Sequence, residues 1–341
     1  MIKGVIKTTV LVAGLLLSSL PPVAAGPHLE ALKQRGVLKC GTSEGTPGIT
    51  SPDREGKWTG IYADLCRAIA AAVLGDATKV DFVPTTTVTR FTALQSGEID
   101  VLSRTATATL TREGQLGLRF APIWFYDGQA IIVARKLGVT SARQLSGATI
   151  CVQQGSTSEL NLSEYFRTQG MTFSPVTVAT LDAVEDAFFS GRCDAYSNDS
   201  TPLVGMRLKA ERPDDYILLP ERLSKEPTAL AIRKGDEQFY DVVRWAAFAL
   251  MEAEEMGVTS ANAAELAAKG PPAIKRLLGS EPGLGKALGL DERWVARMIT
   301  AVGNYGEIFE RNLGKGSRIG LERGQNDLWT RGGQIYALPL R

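Results

Sequence analysis

The stretch from Ser96 to Arg112, S-G-E-I-D-V-L-S-R-T-A-T-A-T-L-T-R, decides how the rest of the chain is read. Phe91, Leu94 and Gln95 carry a helix into Gly97, whose access to positive φ suits a helix terminus. Ile99, Val101 and Leu102 form the buried part of a short strand, and Thr105, Thr107, Thr109 and Thr111 alternate along the chain that emerges from it. Hydroxyls and backbone groups at a strand's carboxyl end suit a small polar ligand. Arg112 adds a planar, permanently charged fork that matches a carboxylate. Taken alone, these residues fit strand filler and a surface arginine equally well.

The balance shifts because the pattern occurs twice. A-F-F-S-G-R-C-D-A-Y-S-N-D, from Ala187 to Asp199, matches A-L-Q-S-G-E-I-D-V-L-S-R-T, from Ala93 to Thr105, at Ala, Ser, Gly, Asp and the later Ser. Each copy reads helix, Ser-Gly stop, x-x-Asp, strand. The second copy ends at Asp199, an acid where the first has hydroxyls and an arginine. One unit offering a cation and the other an anion is what a zwitterion held between two lobes requires.

Toward the N-terminus, Met1 to Ala25 reads as a signal peptide. Lys3 and Lys7 form a positive region, Val10 to Leu20 is apolar, and Val23-Ala24-Ala25 places small residues at a cleavage site. The apolar run is short for a spanning helix, and no other stretch approaches the roughly 20 apolar residues one needs. No cysteine follows the run, which argues against a lipid anchor there. Loss of two lysines from 38 basic residues leaves 36 against 37 acidic ones, a near-neutral balance that argues against nucleic acid as a partner.

Cys40, Cys66, Cys151 and Cys193 suit an oxidising compartment. Their spacing is not that of a zinc site, and the single histidine, His28, lies near the mature N-terminus, so no metal or cofactor is expected. Of the three possible pairings, keeping each bridge within one repeated unit selects Cys40 with Cys66 and Cys151 with Cys193. Four buried thiols are the alternative.

The surrounding pattern is α/β. Val37, Leu38 and Cys40 make a first strand, followed by a turn-rich loop, Gly41 to Gly56, that contains Thr46. Ile61, Leu65, Ile69 and Val73 mark an amphipathic helix stopped by Gly75, and Val80 to Val83 is the next strand. Such alternation implies mostly parallel sheets flanked by helices, with ligands beyond the strands' carboxyl ends. Gln129 to Ala134 is expected to cross into a second unit. There the strand Thr149 to Val152 leads through Gly155 to Thr157 and Ser158 at a helix start, whose N–H groups suit an anion. Strand Val176 to Val178, helix Leu181 to Phe189 and strand Asp194 to Ser197 complete the unit. Glu226 to Ile232 is expected to cross back into the long helix Gln238 to Met256, and two crossovers make a hinge. Trp294, Met298, Ile299, Val302, Tyr305 and Phe309 form one packing stripe in a helical appendage.

Several stretches together resemble the periplasmic general L-amino-acid-binding proteins of ABC importers, within the family 3 solute-binding proteins. They are L-K-C-G-T-S-E-G-T-P-G from Leu38, R-F-T-A-L-Q-S-G-E-I-D-V-L-S-R from Arg90, A-T-I-C-V-Q-Q-G-S-T-S-E-L-N-L from Ala148, G-R-C-D-A-Y from Gly191, V-G-N-Y-G-E-I-F-E-R-N from Val302, and L-W-T-R-G-G from Leu328. The resemblance spans essentially the whole mature chain. It implies a two-lobed type II periplasmic-binding-protein fold: signal peptide 1–25, first lobe 26–132 and 229–257, second lobe 133–228, and a C-terminal helical extension 258–341 packed on the first lobe.

It also implies roles. The ligand α-carboxylate falls to Arg112, Thr107, Thr109, Ser156 and Thr157, and the α-ammonium to Asp199. Thr46, Ala108, Ser158 and Ser200 are candidate pocket-lining residues. The expected partners are a free L-amino acid and the membrane subunits of an ABC permease, with the protein a monomer in the periplasm after cleavage near Ala25. Relatives commonly carry N-T-T-W-T where Thr105 to Thr109 reads T-A-T-A-T, and arginine after the acid where Ser200-Thr201-Pro202 follows Asp199. These departures lead to an expected side-chain pocket of altered, broader range. The competing class is a dehydratase-like enzyme on the same scaffold, with Glu44 or Glu159 as candidate acids, although no histidine or cysteine nucleophile stands near the cleft motifs. Gly283-Leu284-Gly285-Lys286 lacks the preceding strand and spacing of a phosphate loop, so a turn is expected there.

Overall fold

A computed structural model describes residues 26–341, so the targeting segment expected at 1–25 lies outside the described residues. The chain begins with α1 (Pro27–Arg35), β1 (Leu38–Thr42), the short pair β2 (Ser51–Pro52) and β3 (Trp58–Thr59), and α2 (Ile61–Leu74). Then come β4 (Val80–Pro84), α3 (Arg90–Ser96), β5 (Val101–Leu102), α4 (Leu110–Gln115) and β6 (Leu118–Phe120). After them run β7 (Phe125–Ala134), β8 (Thr149–Gln153), α5 (Thr157–Thr168), β9 (Ser174–Val178), α6 (Leu181–Phe189), β10 (Ala195–Asp199) and α7 (Ser200–Arg207). The strands end with β11 (Tyr216–Leu218), β12 (Ser224–Thr228) and β13 (Ala231–Arg233). The last part is helical: α8 (Glu237–Glu255), α9 (Ala263–Lys269), α10 (Pro272–Leu277), α11 (Leu284–Ala287), α12 (Trp294–Val302) and α13 (Tyr305–Asn312).

Two sheets result. The first has the order β4-β1-β5-β13-β6, with β1 parallel to β4 and β5 and β13 antiparallel to β5 and β6. The second has the order β11-β7-β10-β8-β9, with β12 also on β7; β8 is parallel to β9 and β10, and β7 runs against its neighbours. The expected crossing at Gln129 to Ala134 is corrected: all of Phe125–Ala134 pairs within the second sheet, so the chain passes between sheets at 121–124. Those ten residues stay together because three strands pair along β7 and absorb its backbone groups. The return passage is the two residues between β12 and β13.

The repeated Ser-Gly-x-x-Asp motif has a structural cause. Gly97 and Gly191 end their helices with φ of 83° and 80°. The Ser96 and Ser190 hydroxyls donate back to the carbonyls of Ala93 and Ala187. Asp100 donates its N–H to the Lys39 carbonyl (2.8 Å) and accepts the Lys39 N–H on its carboxylate (2.8 Å). Asp194 does the same with Thr149, at 2.9 and 2.7 Å. In each sheet the motif aspartate pins the new strand beside the start of the first.

The main core lies on the first sheet and includes the C-terminal helices. α2 packs between β1 and α12, and Trp294, Met298, Ile299, Val302, Tyr305 and Phe309 are all buried there. Tyr305 meets Trp124 edge to face at 4.8 Å and donates its hydroxyl to the Trp124 carbonyl, tying the appendage to the 121–124 passage.

Cys40 is bonded to Cys66 and Cys151 to Cys193, each bridge within one sheet's unit. With sequence separations of 26 and 42 between the bonded positions, chain-entropy arguments give about 3.5 and about 4 kcal/mol. Replacing both cysteines of either bridge with alanine is expected to lower the unfolding free energy by about 3 kcal/mol or more in urea titration. Equal stability of parent and variant would count against the bridges as stabilising links.

Candidate functional site

A cavity lies between the two sheets, and its wall residues follow the carboxyl ends of parallel strands, in the strand ends, the loops and the first helical turns beyond them. β1 leads to Ser43, Glu44 and Thr46; β4 to Thr87 and Arg90; β5 to Arg104, Thr105, Thr107 and Arg112. From the other side β8 leads to Gln153, Ser156, Thr157 and Ser158, β9 to Leu181, and β10 to Asn198, Asp199 and Pro202. Parallel strands direct their ends the same way, so a crevice there collects one residue set per strand.

The walls touch. The Leu181 N–H donates to the Glu44 carboxylate (3.2 Å), the Lys209 ammonium to the Gly45 carbonyl (2.8 Å), and Arg90 Nη2 to the Gly155 carbonyl (3.4 Å). Gly205 on α7 lies so near the Pro47 loop that a Cβ there would sit 2.7 Å from the Pro47 carbonyl oxygen.

Arg112 is buried, donates Nη1 to the Thr107 carbonyl (2.7 Å), and stacks over Phe91. It sits on α4 rather than along an extended run: Thr109 caps that helix, its hydroxyl accepting the Arg112 N–H at 3.2 Å. The hydroxyl run from Thr105 to Thr111 is thus broken at Thr109, where the capping threonine turns the chain into a helix. Ser156 likewise caps α5, accepting from the Glu159 N–H and donating to the Gln153 carbonyl. The Glu159 carboxylate accepts the Gly155 N–H at 2.9 Å and so belongs to the same cap.

Glu226 on β12, buried in the wall behind Arg112, accepts the hydroxyl protons of Thr107 and Thr157, an N–H of Asn161 and the Ser224 hydroxyl. Each hydroxyl has one proton. With theirs directed to Glu226, Thr107 and Thr157 present only lone pairs to the cavity.

The charges are held out of water. Burial is the main force lowering the pKa of all three guanidinia. Arg90 lies well below its usual range, with Arg104 and Arg112 adding to the effect; Arg104 falls to about 10, and Arg112 is partly restored by Glu226 and Asp199. Burial also pushes the Asp199 carboxyl well up, reinforced by Asp127 and Glu226 and opposed by Arg112 and Arg90. Asp127 is raised by burial too, against the hydrogen bonds it accepts from Ser200, Gly128 and Thr201.

Thr46, Thr107, Arg112, Ser156, Thr157, Ser158 and Asp199 line this cavity. Three residues singled out in the sequence do not. Thr109 is the helix cap, Ala108 packs in the first-sheet core and donates its N–H to the Pro227 carbonyl, and Ser200 donates its hydroxyl to Asp127. Arg90, Arg104, Thr87, Gln153, Asn198 and the supporting Glu226 were not anticipated. The signal for Arg104 was an arginine ending the apolar run V-L-S-R, where a strand enters the core.

Residues 38–261 match the family described as bacterial extracellular solute-binding proteins, family 3. The chain is 49% identical over 320 residues, 93% of its length and 94% of the relative's, to the general L-amino acid-binding periplasmic protein AapJ of Rhizobium johnstonii. It is 45% identical over 339 residues, 99% and 98% of the two lengths, to the glutamate/glutamine/aspartate/asparagine-binding protein BztA of Rhodobacter capsulatus. Among solved structures, an ABC transporter/periplasmic binding protein from Brucella ovis with glutathione bound is 50% identical, with a TM-score of 0.90 over 92% of this chain and 99% of that one.

A carboxyl group whose pKa is raised in the folded state stabilises the fold below its unfolded-state pKa and loses that contribution as pH rises through the folded value. Asp199 is of this kind. Asp199→Asn is therefore expected to raise the melting temperature of the ligand-free protein at neutral pH, with the advantage shrinking as pH falls. Scanning calorimetry at several pH values checks both trends; a neutral-pH melting temperature below the parent's contradicts them.

Proposed function

Because the chain belongs to the bacterial extracellular solute-binding proteins of family 3, we propose that it encloses one L-amino acid between its two sheets and presents it to the membrane subunits of an ABC importer. The fold is the two-lobed type II arrangement of periplasmic binding proteins. The relatives are named as solute-binding proteins of transporters, not enzymes. Glu44 and Glu159, the acids weighed for catalysis, have other work here as a contact across the cleft and a helix cap.

One observation carries the reading of the site. Arg112 from the first sheet and Asp199 from the second, a guanidinium and a carboxyl group, line one cavity. In this proposal Arg112 and the first-turn N–H groups of α5 hold the α-carboxylate, while Asp199 and the Thr107 hydroxyl lone pair receive the α-ammonium. Thr157 supports the turn through Glu226. The sheets act as lobes that hinge at 121–124 and 229–230, with 258–341 moving as part of the first. The mature protein begins near Ala25 and works in the periplasm as a monomer.

Calorimetric titration of the mature protein, freed of co-purified ligand by unfolding and refolding, should show saturable binding of L-amino acids. Each charge-assisted hydrogen bond contributes about 1.5–3 kcal/mol, so Arg112→Ala is expected to weaken binding by at least about 100-fold with little change in circular dichroism. Retained affinity would place the carboxylate elsewhere.

Closure makes a second prediction. A ligand favours the closed state only by touching both lobes. Gly205→Ala puts a methyl against the Pro47 carbonyl only when the cleft is shut. It is expected to weaken binding by roughly tenfold, about 1.4 kcal/mol, while leaving thermal stability of the ligand-free protein near the parent's. Undiminished affinity would show that the Gly205–Pro47 approach does not constrain closure.

A further inference from the structure

Three carboxyl groups lie in a row on one face of the second sheet. Asp127 on β7 pairs with Glu226 on β12, and Asp199 on β10 pairs with Gln129, two residues along β7 from Asp127. Directly paired residues of antiparallel strands point to the same face, as do residues two apart, so all three acids share the face that carries Gln129. Ser200 and Thr201, which follow Asp199, donate a hydroxyl and an N–H to the Asp127 carboxylate at 2.5 and 3.0 Å and so fix it close to Asp199. Asp199 and Glu226 are buried and Asp127 is partly so.

Donors are unevenly shared along the row. Glu226 accepts from Thr107, Thr157, Asn161 and Ser224, and Asp127 from Ser200, Gly128 and Thr201. Asp199 donates its N–H to the Asn198 side chain, but among the described residues no group donates to its carboxyl, which lines the cavity. Donors favour a charged carboxylate, so Asp199 is the member of the row that most readily keeps its proton. Around it stand Asp127 and Glu226 from its own sheet and Arg90 and Arg112 from the first. Glu44 and Arg104 lie on the same cavity wall, and burial keeps the hydroxyls of Tyr62 and Tyr196 protonated. Arg90 and Arg112 oppose the two acids, but with the hinges placed as above they leave with the first sheet when the cleft opens. Asp127 and Glu226 stay beside Asp199, because β7, β10 and β12 are hydrogen-bonded together.

We propose that Asp199, held beside Asp127, keeps a proton in the ligand-free protein and that an arriving ammonium group expels it, so that each capture of an amino acid releases one proton. The Asp199 O–H bond breaks and its proton passes to solvent, while the ammonium keeps its own protons and donates to the carboxylate left behind. The ligand's α-carboxylate meanwhile meets Arg112 and offsets that group's pull on Asp199, so ionisation follows the ammonium. Proton and ammonium compete for one carboxylate, and capture weakens as the medium acidifies. The inference rests on the amino-acid-binding reading, and a proton count separates the two because it is taken only where binding is seen.

The test is calorimetric titration of the ligand-stripped mature protein with L-glutamine, L-asparagine and L-alanine, whose side chains do not titrate, at about pH 6 in cacodylate, MES and Bis-Tris buffers. The slope of observed heat against buffer ionisation enthalpy counts the protons released, and a value near one is expected. As pH rises from about 5 to about 7, Kd should fall by up to about tenfold per pH unit. His28→Gln removes the single histidine and should leave the count unchanged. Asp127→Asn should bring the count toward zero and tighten binding at the acid end, since Asp199 then ionises without a ligand. Saturable binding with no proton released by the parent overturns the proposal while the amino-acid reading stands, and that result needs no variant to fold. A count that stays near one in Asp127→Asn, or is lost in His28→Gln, also overturns it, by giving the proton another origin. Binding of none of the three amino acids overturns the amino-acid reading itself, and this proposal with it.

Discussion

Burying the guanidinia of Arg90, Arg104 and Arg112 with the carboxyl groups of Asp199 and Glu226 around one small space is the constraint on which the rest of this structure depends. Such charges are tolerable only where geometry is held and partners are supplied. The partners come mostly from neutral groups fixed by the sheets: the Thr107 carbonyl for Arg112, the Thr85 carbonyl for Arg104, the Gly155 carbonyl for Arg90. Because each acceptor follows a parallel strand, the sheet order sets the order of charges around the cavity. The Asp199 carboxylate remains the least favourable element, close to Asp127 and Glu226 and held by burial in a state that resists ionisation.

That arrangement works only if the two walls can separate. The connections between the sheets are short, residues 121–124 and the pair between β12 and β13, and both lie at one side of the cleft. The extension stabilises this side: Tyr305 grips the Trp124 carbonyl, Arg323 pairs with Glu254 on α8, and Asn326 bonds both backbone groups of Tyr126. Glu226 stands beside the return passage between the sheets and joins Thr107 of the first sheet's loops to Thr157 and Asn161 of the second's. Opening the cleft must break at least one side of that cluster. Closure therefore has a polar contribution from the protein itself, besides whatever a ligand adds.

Much of the architecture was legible in the sequence because it rests on local signals. Gly75 and Gly97 do end their helices in left-handed conformations, and α2, α6 and α8 fall within a residue of the periodicity. What escaped was long-range. The passage between sheets looked like Gln129 to Ala134 because nothing local distinguishes a strand that crosses from one that pairs with three neighbours. Ala108 and Ser200 looked like pocket residues because they flank pocket residues, yet a turn and a cap point them elsewhere. Arg90 and Arg104 were passed over because an arginine beside a helix start or strand end is usually solvated; that these two are buried depends on the second sheet lying over them.

The duplicated unit shows why such a site can change its preference without losing its fold. Through the aspartate both copies spend the same residues on the same tasks: glycine to end the helix, serine to close its last turn, aspartate to tie two strands together. The shared later serine is also structural, Ser103 donating to the Tyr62 carbonyl and Ser197 to the Ala130 carbonyl. Only beyond it do the copies part, into Arg104-Thr105 on one side and Asn198-Asp199 on the other. Charge of either sign is thus placed at the first positions past the last structural residue, where a side chain reaches the cavity but holds no strand. Substitution there alters what the cleft attracts and leaves the sheet hydrogen bonds in place, so a change in stability at those positions comes from burying or releasing charge rather than from breaking strand pairs.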